Sequence, residues 1–287
     1  ILAAYAAFLD WDGIFLYTLE HQAPADWGMR MPRHFEIRPD PVKMTNAAIG
    51  ACLFLRGDVA RARETVSRSY SMEQVREGIR TSSSQRPLFT PGFDPSIPLT
   101  HATEITSFTQ AHGPYPRASA TNPIVSDTGQ LRWRHGQPRE GLVTIDTDAS
   151  QALIGFVKKA GVTTSHLAVD VENEFCSIAL TSLDGAPISE AKELLLVTTA
   201  RAANQGMRWN DQRTTLLDWG AESTVIEPVQ GQITIRDLKT FRRAKVLPLT
   251  SGARPLGPAL NVDSTATQLR FPLGQPTTCW YLLRLER

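Results

Sequence analysis

Tyr17, Glu20, His21 and Trp27 bring two aromatic rings, a carboxylate and an imidazole close together early in the chain. Aromatic faces of this kind stack on sugar rings, while carboxylate and imidazole groups hydrogen-bond hydroxyls. The plainer alternative is a loop whose Trp packs on the domain and whose charges are solvated. Trp209 in "GMRWND" and Trp219 in "LLDWGAES" sit in turn-like contexts. Two such rings on one exposed face would hold a polysaccharide by stacking, and packing between domains is the rival role. Trp280, beside Tyr281 in a strand-like run, reads as core.

Other chemistries find little support. Asp10 and Asp12 precede an apolar run and read as packing and turn residues. The six His, at 21, 34, 101, 112, 135 and 166, show no HxxxH or HxH spacing, so no metal ligand set emerges. "DTDAS" at 146–150 lacks the Gly and the closing Glu of a calcium loop and reads as a turn. "SDTG" at 126–129 matches one aspartic-protease string without a second, so it too reads as a turn. No GxSxG elbow, no GxGxxG after a strand and no GxxxxGK[ST] occurs, which leaves serine hydrolysis and nucleotide cofactors unindicated. Cys52, Cys176 and Cys279 lie far apart in apolar contexts. Three buried free thiols is the simple reading; one disulfide with a thiol left over is the alternative. Cysteine usage leaves the compartment open.

The 287 residues suffice for one large or two medium domains. Hydrophobic residues at 41% and charged ones at 21% are ordinary globular values. Thirty basic and 29 acidic residues leave a net charge of +1, with no block of either sign. This argues against a nucleic-acid footprint and against electrostatic docking on a membrane. No apolar run approaches the about 18 residues needed to span a bilayer.

Ile1 to Leu9 reads as the end of a helix. Gly13 to Leu19, "GIFLYTL", is nearly all apolar and predicts a strand covered on both faces, as in a parallel sheet. Residues 23–38 form a long loop. "RPDPVKMTNAAIGACLFLRGDV" predicts a second helix, with Pro41 in its first turn and Gly57 as its stop. Val42, Ala47, Ala48, Ile49, Leu53 and Phe54 supply its apolar stripe. After Val59 the character changes to short runs separated by Gly, Pro, Asn and Asp. "GLVTID", "SHLAVDV", "CSIALTSL", "ELLLVTTA", "STVIEPV", "GQITI", "AKVLPL", "TQLRFPL" and "CWYLLRL" read as strands, many with period-two alternation. They predict an antiparallel β-sandwich or barrel. A Ser-, Thr- and Pro-rich stretch near 70–125 holds a short helix around Met72 to Ile79.

A nearly all-apolar strand needs sheet neighbours on both edges. The opening piece is therefore expected to be the last unit of a (β/α)8 TIM barrel whose earlier units are absent from this chain. The expected fold is mainly β. Residues 1–60 form the terminal helix–strand–helix unit of a barrel, 61–125 an irregular connection, and 126–287 an accessory β-sandwich.

The order of these pieces resembles the C-terminal part of bacterial glycoside hydrolases of the (β/α)8-barrel clan, broadly the cellulase-like and β-galactosidase-like members with an appended β-sandwich. "AAYAAFLDWDGIFLYTLEHQ" looks like the seventh helix and eighth strand, and "DPVKMTNAAIGACLFLRGDV" like the eighth helix. "SDTGQLRWRHGQPREGLVTIDTDASQALIGF", "LLVTTARAANQGMRWN" and "VIEPVQGQITI…VLPLTSGARP…TTCWYLLRL" look like the appended sandwich. In that clan two carboxylates flank the scissile bond, on the fourth and seventh barrel strands. Neither strand is present here, so the resemblance implies a parent that hydrolyses a β-linked saccharide and a chain that is itself non-catalytic. It places Tyr17, Glu20, His21 and Trp27 at the barrel rim, where active sites lie. It also implies an oligo- or polysaccharide ligand, the remaining barrel as partner, no cofactor, and a secreted or periplasmic parent. Two rivals stand beside this reading. One is an active enzyme whose remaining barrel lies outside this chain. The other is an independent small hydrolase, which needs a pocket holding two carboxylates roughly 5–10 Å apart.

Overall fold

In the computed structural model, residues 1–81, 93–111, 113, 121–158 and 160–287 are described. His112 and much of the Ser-, Thr- and Pro-rich stretch lie outside the described residues. Two helices come first, α1 (Leu2–Phe8) and α2 (Pro41–Phe54). Asp40 caps α2 by accepting the Val42 and Lys43 N–H groups at 3.0 and 3.1 Å, and Pro41 occupies the first turn as expected. Gly57 takes φ +78° shortly past the helix end, where the chain reverses.

A parallel pair follows, β1 (Thr65–Ser69) and β2 (Ala102–Ser107), with α3 (Met72–Thr81) between them in sequence. The expected helix near 72–79 is present. The connection is thus less irregular than its composition suggests.

The remaining strands in chain order are β3 (Ile124–Val125), β4 (Leu131–Arg134), β5 (Leu142–Asp146), β6 (Ser150–Gly155), β7 (Leu167–Val171), β8 (Cys176–Ser182) and β9 (Glu193–Thr199). Then come β10 (Ala202–Asn204), β11 (Arg208–Trp209), β12 (Leu216–Asp218), β13 (Thr224–Ile226) and β14 (Gly231–Ile235). The last are β15 (Arg243–Leu249), β16 (Asp263–Ser264), β17 (Leu269–Leu273) and β18 (Trp280–Glu286). Eight of them form one antiparallel sheet in the order β15-β18-β9-β8-β6-β5-β4-β3. A second antiparallel sheet runs β16-β17-β14-β7, and two small ribbons pair β10 with β13 and β11 with β12. The fold is mainly β, with antiparallel sheets.

Side-chain alternation assigns the two faces of the large sheet. Ile178, Leu180, Leu194, Leu196, Tyr281 and Leu283 point toward Ile233, Ile235, Leu269 and Phe271 of the smaller sheet, forming the main core. Ala179, Leu195 and Val197, the residues in between, point the other way, onto Tyr5, Phe8, Ile49 and Leu53 of the helices. β9 is almost wholly apolar because it is buried on both faces. Polar anchors reinforce the helical side. Asn46 donates to Thr199 Oγ1 at 2.8 Å, and Arg56 binds Asp58, the Thr181 hydroxyl and the Ser182 carbonyl.

"SDTG" and "DTDAS" are turns, as expected, closing the β3–β4 and β5–β6 hairpins. The stretch Gly13–Leu19 departs from expectation: it belongs to no strand and is not buried. Phe15 is 99% exposed, and Leu16, Tyr17 and Leu19 also face solvent. The physical reason is plain. An apolar strand is buried only where neighbours pair with it, and this segment's backbone meets a partner only from Thr18 onward.

Candidate functional site

The segment that leaves α1 is met on its return by residues 35–38. Thr18 N–H donates to Phe35 O at 3.1 Å, Ile37 N–H to Thr18 O at 3.0 Å, and Arg38 N–H to Leu19 O at 3.0 Å. This short pairing sets Glu20 and His21 beside Glu36 and Arg38.

His21 bridges two groups. Its Nδ1 lies 3.0 Å from Glu36 Oε1, and its Nε2 lies 2.8 Å from the Tyr17 hydroxyl. Glu36 is 1% exposed, and its second carboxyl oxygen has no partner among the described residues. The imidazole thus joins the buried carboxyl to the exposed phenol through its two ring nitrogens. The phenol is held from behind while the Tyr17 residue stays 70% exposed.

Glu20 is committed differently. Its Oε2 accepts Arg38 Nη2 at 2.7 Å and Nε at 3.0 Å, and its Oε1 accepts the His21 and Gln22 N–H groups. Desolvation pushes this carboxyl up. The Arg38 guanidinium and the two backbone donors outweigh it and hold the group below the usual glutamate value. Arg38 also donates to the Gly28 carbonyl at 3.3 Å, and its guanidinium lies 4.8 Å from the Trp27 ring centre. The Trp27 indole N–H donates to Gln22 O at 3.0 Å, yet the residue remains 45% exposed.

The loop carrying Trp27 is tied to the sheets at Met31. Asn204, on β10, bonds both Met31 backbone groups, and the Trp219 indole N–H donates to the Met31 carbonyl at 2.5 Å. Aromatic rings continue the link outward. Trp219 lies 6.4 Å from His34, His34 4.0 Å from Phe35, Phe35 6.1 Å from Tyr17, and Tyr17 5.1 Å from His21.

In comparisons with known proteins, no family model matches the chain, and no curated protein or solved structure matches it either. The site therefore rests on its own chemistry.

Tyr17, Glu20, His21, Trp27 and Trp219 come together on one patch. Trp219 spends its indole N–H on the loop, so it serves as an anchor there. Trp209 stands apart on the exposed β11–β12 ribbon, whose second strand leads into Trp219. Sequence reasoning missed Glu36, Arg38 and the bridging rings of His34 and Phe35. The alternation of "HFEIR" at 34–38, polar then apolar, was the available signal of an extended segment.

The patch presents hydrogen-bonding groups and aromatic rings in fixed positions. Glu20 has both oxygens occupied and Glu36 is withdrawn from solvent, so neither is a free acid facing a substrate.

Proposed function

We propose that this chain is the C-terminal part of a glycoside hydrolase acting on a β-linked saccharide, and that it is itself non-catalytic, with an accessory, carbohydrate-binding role. One observation carries the reading: the exposed Trp27 and Tyr17 rings are each held by polar groups, Arg38 behind one and His21–Glu36 behind the other. Rings fixed in advance lose little freedom when a flat sugar face stacks on them. The exposed apolar run of Phe15, Leu16 and Leu19 supports the first half of the proposal, that the chain is part of a larger enzyme. Contiguous exposed apolar surface marks an interaction site, and the remaining barrel of the parent enzyme is the partner proposed to cover it.

Affinity electrophoresis through gels containing β-linked polysaccharides tests the reading. The wild-type chain is expected to be retarded and Trp27→Ala to lose that retardation at least tenfold, with no reducing sugar released by either. Equal mobility of both proteins in every gel, or hydrolysis by the chain alone, would overturn it.

A further inference from the structure

The rings of Trp219, His34, Phe35, Tyr17 and His21 form one row, each in contact with the next. Phe35 is 54% exposed, Tyr17, His34 and His21 also face solvent, and Trp219 is half-buried. The extended course of residues 34–38 accounts for Phe35: Glu36 turns inward, so its neighbour turns out.

The backbone beneath the row is tied down. His34 O accepts Lys43 Nζ at 2.6 Å, and Phe35 O accepts the Thr18 N–H at 3.1 Å. At the far end the Trp219 indole N–H is held by Met31 O. The rings therefore keep their tilts, and the tilts are large. Ring planes meet at 69° between Trp219 and His34, 45° between His34 and Phe35, 68° between Phe35 and Tyr17, and 77° between Tyr17 and His21. No two neighbours in the row share a plane.

These tilts decide between two ligand shapes. The flat face of an ordered polysaccharide is gripped by rings lying in one plane, because only then do all of them stack on it together. Here one ring of each neighbouring pair at most can lie flat against such a face. A single chain in solution is not bound by this, since its sugars turn about the glycosidic bonds and each can meet a ring at that ring's own tilt. The row is also longer than one sugar ring, so a chain gains contacts with each residue added. Ring type points the same way. All but Phe35 join a flat face to a nitrogen or a hydroxyl, which suits a ligand that is part apolar face and part hydroxyl. A purely apolar partner surface is matched instead by the neighbouring Phe15, Leu16 and Leu19.

We infer that the row from Trp219 to His21 binds a single soluble stretch of saccharide chain, several sugars long, and not the flat face of an ordered, insoluble polysaccharide. The inference rests on the carbohydrate-binding role proposed above; it adds the shape of the ligand and makes His34 and Phe35 contact residues.

Calorimetric titration of the full chain with soluble β-linked gluco- and galacto-oligosaccharides, beside sedimentation with microcrystalline β-linked glucan, tests it. A hexasaccharide is expected to bind about tenfold or more tighter than the disaccharide of the same linkage, and the crystalline polymer to retain no protein. Phe35→Ala is expected to weaken the hexasaccharide about tenfold with an unchanged circular dichroism spectrum. Equal affinity for the two lengths, retention on the crystalline polymer, or a Phe35→Ala variant that binds the hexasaccharide as the wild type does would each overturn the inference. Hexasaccharide binding that survives Phe35→Ala and is lost in Trp27→Ala overturns this inference alone and leaves the carbohydrate-binding role standing. No binding of any soluble or insoluble form overturns both.

Discussion

Asn204 does for Met31 what a neighbouring strand would do. Its Oδ1 accepts the Met31 N–H at 3.0 Å, and its Nδ2 donates to the Met31 carbonyl at 2.8 Å. The same amide reaches the Trp219 carbonyl and takes the Thr224 hydroxyl, all while 2% exposed. Asn204, together with Thr224 and Trp219, thus fixes the path of the loop that carries Trp27.

Asn204→Ala removes these bonds, while the Met31 N–H keeps the Thr224 hydroxyl and the Met31 carbonyl keeps the Trp219 indole. Each buried group that loses its bond costs about 1–3 kcal/mol, some of it recovered by water entry. Urea denaturation is expected to show a loss of about 2–3 kcal/mol. Native tryptophan emission should also shift to the red as Trp27 and Trp219 loosen. Unchanged emission would mean the loop is held elsewhere.

The pairing of Glu20 with Arg38 gives the patch a defined acid response. The folded carboxyl titrates below its ordinary value of 4.5. Its stabilising contribution is therefore fully present above that value and is lost as pH falls through the lowered one. Tryptophan emission is expected to hold steady from neutral pH down to the ordinary glutamate range and to change only below it. In Glu20→Gln that acid step should be absent or diminished. An identical step in both proteins would assign the transition to other carboxylates.

How much of this was readable beforehand depended on whether the signal was local. "GQITI" alternates, and Ile233 and Ile235 do enter the core. "DPVK" announces a capped helix start, and Asp40 does cap it. "ELLLVTT" and "GIFLYTL" are nearly indistinguishable as strings, yet the first is the doubly buried β9 and the second lies open to solvent. Composition reports that a segment can be buried, not that neighbours exist to bury it. Glu36 and Arg38 escaped for a related reason. Their meeting with Glu20 and His21 depends on a loop tied down at Met31 by Asn204, 173 residues further along the chain.

Cys176 offers a chemical check on the two-layer core. It is fully buried between the sheets, and burial pushes its thiol up to about 12. In the native protein at pH 8 it is expected to resist iodoacetamide until the chain is unfolded, as read by peptide mass mapping. Modification of Cys176 under native conditions would show that the sheets separate readily.

Asp58 tests how the helical layer is fastened to the large sheet. Its carboxylate accepts Arg56 Nε at 2.7 Å and Nη2 at 2.6 Å, and takes the Ser150 hydroxyl from β6 at 2.5 Å. Arg56 continues to Thr181 and Ser182 on β8, so one carboxylate links the end of α2 to two adjacent strands. Asp58→Ala removes the counter-charge of Arg56 and leaves its Nε without an acceptor, while Thr181 and the Ser182 carbonyl still meet the guanidinium and Thr181 still meets the Ser150 hydroxyl. A loss of about 2 kcal/mol is expected in urea. Native-state hydrogen exchange should locate the damage in α1 and α2, with β14 and β17 on the opposite layer keeping their protection. Uniform loss of protection across both sheets would show instead that the helices and the two sheets open as one unit.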